Sequence, residues 1–361
     1  MSSSISSKRR TMTRRQFAGG FAALLACARG APSLASPRPI SFGVFSLFEP
    51  REMTLSADLP LLLRVDDRRF ALSSEGGPVS LRVKGDHIQI RLSSEILLAS
   101  RLRATSFEGG PTAVFLAVPP TTEHGGVERQ FEAVIDIDLT GGRLRPVVSM
   151  DIETAVASIV AAESSVLAPE ASFMAQAVAS RSFLLAARTV HTGFDFCDTT
   201  HCQFLRGPAP VGSSATTTSA RTEGLCLYYE GRPLAAMYSR SCSGRTCSLE
   251  ELGLSVRDYP YYPVDCEFCL HHPEAWVREL DDKAQPPHGE RERIAYARIH
   301  GWSALPSSSF VQRQKQLQGR GIGHGLGLCQ RGAMAMARAG IGFDRIVAHY
   351  YPNTNIATLQ T

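Results

Sequence analysis

The sequence predicts an α+β fold, with a β-rich first part followed by a domain in which a helical pair packs on antiparallel sheet. Three observations predict it. Residues 60–65, 79–83, 87–92, 113–118 and 131–139 are short apolar or alternating runs, the pattern of strands. Turn signals separate them, among them Glu75-Gly76-Gly77-Pro78, Lys84-Gly85-Asp86, Gly109-Gly110-Pro111 and Thr140-Gly141-Gly142. The character then changes near residue 150. Residues 153–164 are alanine-rich, with Val156, Ile159 and Val160 at helical spacing, and after a break at Pro169 the helical pattern resumes over 171–191.

The remaining elements follow in order. Residues 192–235 read as a loop followed by strands, with 213–222 polar and exposed. Residues 236–318 read as irregular. A short helix over 330–339 stops at Gly340, and a last helical turn over 346–351 stops at Pro352. The division is then 1–35, a targeting segment; 38–145, a β-rich module; and 146–358, the domain that carries the chemistry.

The chain has 361 residues, 43% hydrophobic and 20% charged, which is globular composition. No apolar run reaches the roughly 18 residues that a membrane span requires. Residues 1–35 have a basic start, a short apolar centre and small residues before a proline, the layout of an export signal. Within it, Thr13-Arg14-Arg15-Gln16-Phe17 fits a twin-arginine signal, against the alternative of an ordinary basic leader. Leu24-Leu25-Ala26-Cys27 also reads as a loose lipoprotein box, which would leave Cys27 lipidated. The expected location is therefore the periplasm or cell envelope. The segment holds six basic residues and no acid, so its removal turns the formal charge of +4 into about −2. A basic surface for nucleic acid is thereby excluded as an expectation. Of the nine cysteines, eight lie after residue 196, a number ordinary for an exported protein.

Glu163 ends an apolar, small-residue helix. A carboxyl close to the core there is poorly hydrated, its pKa rises, and it becomes a proton donor near neutral pH. The plain alternative is a solvated residue at a helix end. In the next helix Gln176, Ser180 and Arg181 interrupt an apolar run, and Gln176 and Ser180 share a face. Buried polar groups of this kind need partners or a task. His191, Cys197, His201 and Cys202 then fall within twelve residues. Two imidazoles and two thiols are a complete tetrahedral zinc set, and the alternative is a Cys197–Cys202 disulfide with two ordinary histidines. From 319 to 327 every odd position is glycine. If extended, one face of this tract is bare and open to a polymer; the alternative is a structural strand and turn. Cys242, Cys247, Cys266 and Cys269 have the makings of two disulfides or of a four-thiolate zinc site. Cys226 and Cys329 are expected to be buried.

Four segments together carry a family resemblance, which runs from about residue 130 to 355. They are Ala162-Glu163 followed across a proline by Ala175-Gln176-Ala177-Val178-Ala179-Ser180-Arg181; Cys197-Asp-Thr-Thr-His201-Cys202-Gln203; Tyr238-Ser-Arg-Ser-Cys242-Ser-Gly-Arg-Thr246; and Gly321-Ile-Gly-His324-Gly-Leu-Gly-Leu-Cys-Gln330-Arg-Gly-Ala333. In this order they resemble the SpoIID/LytB family, known both for sporulation stage II protein D and for amidase enhancers. Ser243 departs from the glycine of many relatives, and Cys329 from a frequent serine. The resemblance implies a lytic transglycosylase with Glu163 as the acid/base, cutting peptidoglycan glycan strands to 1,6-anhydromuramyl ends. It implies substrate contacts from Gln176, Arg181, Ser239, Ser241, His324 and Gln330, and structural zinc on His191, Cys197, His201 and Cys202. It leaves two rivals: a non-catalytic glycan-binding enhancer of a cell-wall amidase, and a zinc-dependent hydrolase. No second acid stands in a comparably specific motif, although Glu170, Asp195 and Asp198 lie nearby.

Overall fold

Alternating runs do become strands. Over Thr112–Val118 every second side chain is buried, and the residues between are half exposed. The computed structural model describes residues 38–359 except 94, 123, 188–190, 257 and 280–288. The expected export signal and Cys27 lie outside the described residues. The fold is α+β, as expected. Nine strands of a twelve-stranded sheet run in the order Phe196–Cys197, Ile40–Gly43, Arg143–Met150, Val127–Thr140, Thr112–Val118, Glu52–Ser56, Val79–Lys84, His87–Arg91, Ile96–Ala99, and Arg101–Thr105, Leu61–Val65 and Arg68–Leu72 branch from Val127–Thr140. Strand Val127–Thr140 is 14 residues long and divides its partners. Its first half pairs with Thr112–Val118, and its second half with Arg143–Met150 on one edge and Arg101–Thr105 on the other. The glycine pair predicted as a turn makes the hairpin between Thr140 and Arg143, with Gly141 and Gly142 both at positive φ, as a two-residue turn of this hand requires.

Helix α1 (Ile152–Glu163) starts where Asp151 accepts hydrogen bonds from the amides of Glu153 and Thr154, each at 2.9 Å. Its Ile152, Ala155, Val156, Ile159 and Val160 join the sheet's hydrophobic core. Helix α2 (Glu170–Ala186) lies between two cores. Phe173, Ala177, Phe183 and Leu184 face the sheet core, while Ala175, Val178 and Ala179 face a second cluster with Leu227, Leu328 and Val347. Its many alanines permit that two-sided approach. The predicted helix to His191 is too long: regular structure stops at Ala186, and by Gly193, at φ +91°, the chain has turned back toward the sheet edge. There Phe196 pairs in parallel with Phe42.

Two expectations are corrected here. Residues 213–222 are no exposed loop but helix α3 (Ser214–Arg221), with Thr218, Ser219 and Thr222 buried. The hydroxyls of Thr218 and Thr222 return hydrogen bonds to the carbonyls of Ser214 and Thr218, so these two threonines pack inside with their hydrogen bonding met, whereas the buried Ser219 hydroxyl has no partner. Residues 236–318 are not irregular throughout. They contain helix α4 (Glu267–His271), helix α5 (Gly289–His300) and an antiparallel sheet of Ala275–Glu279, Gln316–Arg320 and Phe310–Arg313 around Trp276, Leu305 and Leu317. Helix α6 (Gln330–Arg338) ends before Gly340, which takes φ +80°, and helix α7 (Phe343–Tyr350) follows. Cys226 is buried, as expected.

Arg181, expected to bind substrate, is instead the largest fully buried side chain. Its guanidinium grips Glu153 at 2.8 and 2.5 Å and donates to the carbonyl of Leu225 at 3.1 Å. It ties α1, α2 and strand Leu225–Tyr229 together. Glu153→Ala would leave this charge buried and unpaired, at a cost of about 3 kcal/mol. Denaturant unfolding is the measurement, and a loss below about 0.5 kcal/mol would contradict this role.

Candidate active site and thiol clusters

Glu163 is the last residue of α1, and its carboxyl faces a cleft of about 770 Å³. The Phe204 amide donates to its Oε1 at 3.0 Å and the Tyr238 hydroxyl at 3.4 Å. Burial pushes its pKa up to about 7; the Phe204 amide, Tyr238 and the Arg206 charge pull the other way and lose. The cleft is also lined by Gln176, Ser239, His324 and Gln330, all four expected in the site. Gln330 makes the central connection. Its Nε2 donates to the Glu163 carbonyl at 3.2 Å and to Gln176 Oε1 at 3.3 Å, and Gln176 Nε2 in turn donates to Ser180 Oγ at 3.1 Å. His324 Nδ1 accepts from the Leu326 amide at 2.9 Å, which places the ring proton on Nε2. Desolvation drives its pKa down to about 4, so the ring is neutral.

The glycine tract does not present a bare face to the cleft. Gly321, Gly323, Gly325 and Gly327 all adopt positive φ, so the segment is a chain of turns, not an extended strand. Their missing side chains face protein. A Cβ on Gly321 would come within 2.9 Å of the Ser241 carbonyl, and one on Gly323 within 2.7 Å of Ser239 Cβ. The glycines let segment 237–247 press against the tract, and His324 and Gln330 are aimed into the cleft as a result. Ser241 is consumed by this packing. It is buried, its hydroxyl donates to Glu274 at 2.9 Å, and its backbone bridges Ile322, so it is not among the cleft-lining residues.

His191, Cys197, His201 and Cys202 converge as expected, with all four donor atoms within 4.8 Å of one another. His191 Nε2 is 3.3 Å from Cys202 Sγ, and His201 Nδ1 is 3.5 Å from Cys202 Sγ and 3.7 Å from Cys197 Sγ. A tetrahedral zinc ion with ordinary bond lengths has N···S edges of about 3.5 Å. The donor set therefore fits the metal in number, chemistry and spacing. The Cys202 thiol, then the two imidazoles, hold the Cys197 thiol far below its ordinary range. Around the site, Phe194 stacks on His191 with ring centroids 4.7 Å apart, and Gly43 leaves the room that ring needs. Asp195 and Asp198 are structural. Asp195 takes hydrogen bonds from Arg38 and Ser41, and Asp198 from the Phe45 amide and Arg129. Glu170 pairs with Arg221 on the surface. None of the three is a second cleft acid.

Among the described residues, none of the eight cysteines after residue 196 is in a disulfide. The second cluster is also composed differently from expectation. Cys247 packs beside Gly325, and Cys329 takes its place with Cys242, Cys266 and Cys269. Sequence reasoning missed the cleft's Tyr238, the Phe204 amide, and the Glu290–Arg293 pair of α5, a buried bidentate ion pair at 2.7 and 2.5 Å. It also missed Gln203, which lines the cleft at 1% exposure with both amide atoms unpartnered. Of these, Gln203, beside Cys202, and Tyr238, at the head of the segment that runs to Thr246, stood in motifs from which they could have been found.

Glu163 has a sign-defined effect on stability. Its folded pKa lies above the unfolded value near 4.5, so the folded state binds the extra proton between about pH 4.5 and 7. Stability falls as pH rises through that window. Glu163→Gln should therefore be more stable than the parent at pH 8, by on the order of 1–2 kcal/mol after allowance for screening by water in the cleft, and equal to it near pH 4. Denaturation across pH reads this, and a pH-independent difference would refute it.

Residues 140–229 match the family model for SpoIID, stage II sporulation protein. The stage II sporulation protein D of Bacillus subtilis is 24% identical over 304 residues, covering 70% of this chain and 86% of that protein. An uncharacterized protein of Brachyspira hyodysenteriae is 26% identical over 251 residues, covering 58% of this chain and 67% of its own length. The matched region holds Glu163, the polar face of α2 and the His/Cys cluster, and over it the chain is similar to the SpoIID family.

Proposed function

We propose that this chain is an exported lytic transglycosylase of the cell wall, acting on peptidoglycan glycan strands whose stem peptides have been removed. The observation that carries the reading is a carboxylic acid with a pKa near 7 in a cleft large enough for sugar rings. Near neutral pH about half of the molecules hold Glu163 protonated, the form that can donate. Glu163 gives its proton to the oxygen joining N-acetylmuramic acid to N-acetylglucosamine, and that bond to C1 breaks. The Phe204 amide and Tyr238 hydroxyl both aim at Oε1 and stabilise the carboxylate so formed. The carboxylate then takes the proton of the muramyl C6 hydroxyl as that oxygen bonds to C1. The products are a 1,6-anhydro end and a free N-acetylglucosamine hydroxyl, with no water consumed and the acid restored.

One acid suffices for this chemistry, whereas hydrolysis ordinarily employs two. Of the two acids among the described cleft-lining residues, Glu290 is held by Arg293. Zinc on His191, Cys197, His201 and Cys202 would supply a structural cross-link. With four protein donors the shell is closed, which weighs against a zinc-activated hydrolase. The segment so fixed leads directly to Gln203 and Phe204, at the cleft wall. Gln176, Ser239, His324 and Gln330 are the proposed sugar contacts, and the unpartnered Ser239 hydroxyl and Gln203 amide are suited to hydroxyl or acetamido groups.

The test uses the mature protein on peptide-stripped glycan strands, with anhydromuramyl products read by mass spectrometry. Glu163→Gln should lower the rate about 10²–10⁴-fold while glycan binding persists. Binding without products from the parent would instead make the chain a non-catalytic enhancer of a wall amidase. Activity that survives Glu163→Gln but vanishes with a chelator would make it a zinc hydrolase. The rate should also fall as pH rises above about 7, where Glu163 loses its proton. Tyr238→Phe removes a donor to the carboxylate and should move that limb to higher pH; an unchanged limb would separate Tyr238 from the acid.

A further inference from the structure

Cys242, Cys266, Cys269 and Cys329 are buried to 3% exposure or less, and their four sulfur atoms all lie within 4.8 Å of one another. We propose that they form a second metal site, a closed tetrathiolate site for zinc, separate from the His/Cys cluster. Soft thiolates without carboxylate or imidazole select zinc over the hard cations. Zinc–sulfur bonds of ordinary length give S···S edges of about 3.8 Å in a tetrahedron. Cys269 and Cys329 are 3.5 Å apart, near that edge and far beyond a disulfide bond.

The surroundings are built for anionic sulfur. The amides of Cys242 and Gly332 donate to Cys329 Sγ at 3.3 and 3.4 Å, and the Tyr350 hydroxyl lies 3.4 Å from Cys266 Sγ. Backbone amides spent on a neutral thiol would be poorly rewarded, since it is a weak acceptor. Gly332 is required by the same packing, because a Cβ there would come within 2.5 Å of Cys266 Sγ. Cys266 and Cys269 are separated by two residues in sequence, at the start of α4.

The ion would join segments that the cleft depends on. Cys329 immediately precedes Gln330, and Cys242 follows Tyr238 and Ser239 on the neighbouring strand. Tyr238 pairs with Leu328, and Ser239 with Cys329. Zinc would clamp this parallel pair from beneath and hold Tyr238 and Gln330 opposite Glu163. That consequence rests on the proposed role of Glu163; the metal content does not.

The experiment counts zinc per chain in the purified mature protein and in two variants. The expected values are two zinc ions in the parent, one in Cys266→Ser/Cys269→Ser, and one in His191→Ala/Cys202→Ser. One zinc in the parent, lost only in Cys266→Ser/Cys269→Ser, also supports the site and would leave the His/Cys cluster metal-free. Zinc undiminished by Cys266→Ser/Cys269→Ser overturns it, as does a native disulfide between any two of the four cysteines. Should these variants fail to fold, zinc X-ray absorption on the parent decides. An average shell of three sulfurs and one nitrogen, or of four sulfurs, is the expected result, and two of each overturns the proposal.

Discussion

A single side-chain amide holds the cleft together. Gln330 opens helix α6 and donates to the carbonyl of Glu163, one of the groups left without a partner at the end of α1, and to Gln176 on α2. Three elements distant in sequence are thereby fixed at hydrogen-bonding range. The proposed acid is positioned through its own backbone, and its carboxyl stays clear of that bond to meet Phe204 and Tyr238. An acid with a pKa near 7 is possible only because the surrounding apolar helix face and cleft walls keep water sparse while a few donors remain within reach.

Helix α2 makes this geometry affordable. Its alanines let two hydrophobic cores close on it from opposite sides, and its polar residues divide the remaining work. Gln176 and Ser180 serve the cleft through Gln330. Arg181 and Ser182 serve the scaffold, through Glu153 and through the Leu227 amide at 2.8 Å. Neighbours in sequence thus act in different places, because adjacent helix positions point about 100° apart.

The glycine tract and the cysteines show the same economy. Glycines that looked like a landing surface for a polymer are the means by which another protein segment comes close. Two groups of four side chains of metal-ligating type then flank the cleft, one beside the Phe204 wall and one beneath Tyr238 and Gln330. Metal held at either group would fix several loops at once, a form of cross-link that apolar burial does not supply.

The sequence by itself determined the α+β class, the two helices, the glycine-pair hairpin, the poor hydration of Glu163 and the nearness of the four His/Cys ligands to one another. These are local signals: periodicity, capping, turn chemistry, and ligands only a few residues apart. It misjudged Arg181 and Ser241, whose polarity says that each needs a partner but not whether the partner is protein or sugar. It missed α3, whose buried threonines carry no apolar pattern, and α5 with its ion pair. It misgrouped Cys247 with three of the four converging thiols. Tertiary structure alone decided the partners of Arg181 and Ser241 and the grouping of the thiols, because which side chains meet across 28 to 87 residues depends on how the sheet, α2 and the glycine turns pack, and a linear spacing carries no record of that packing.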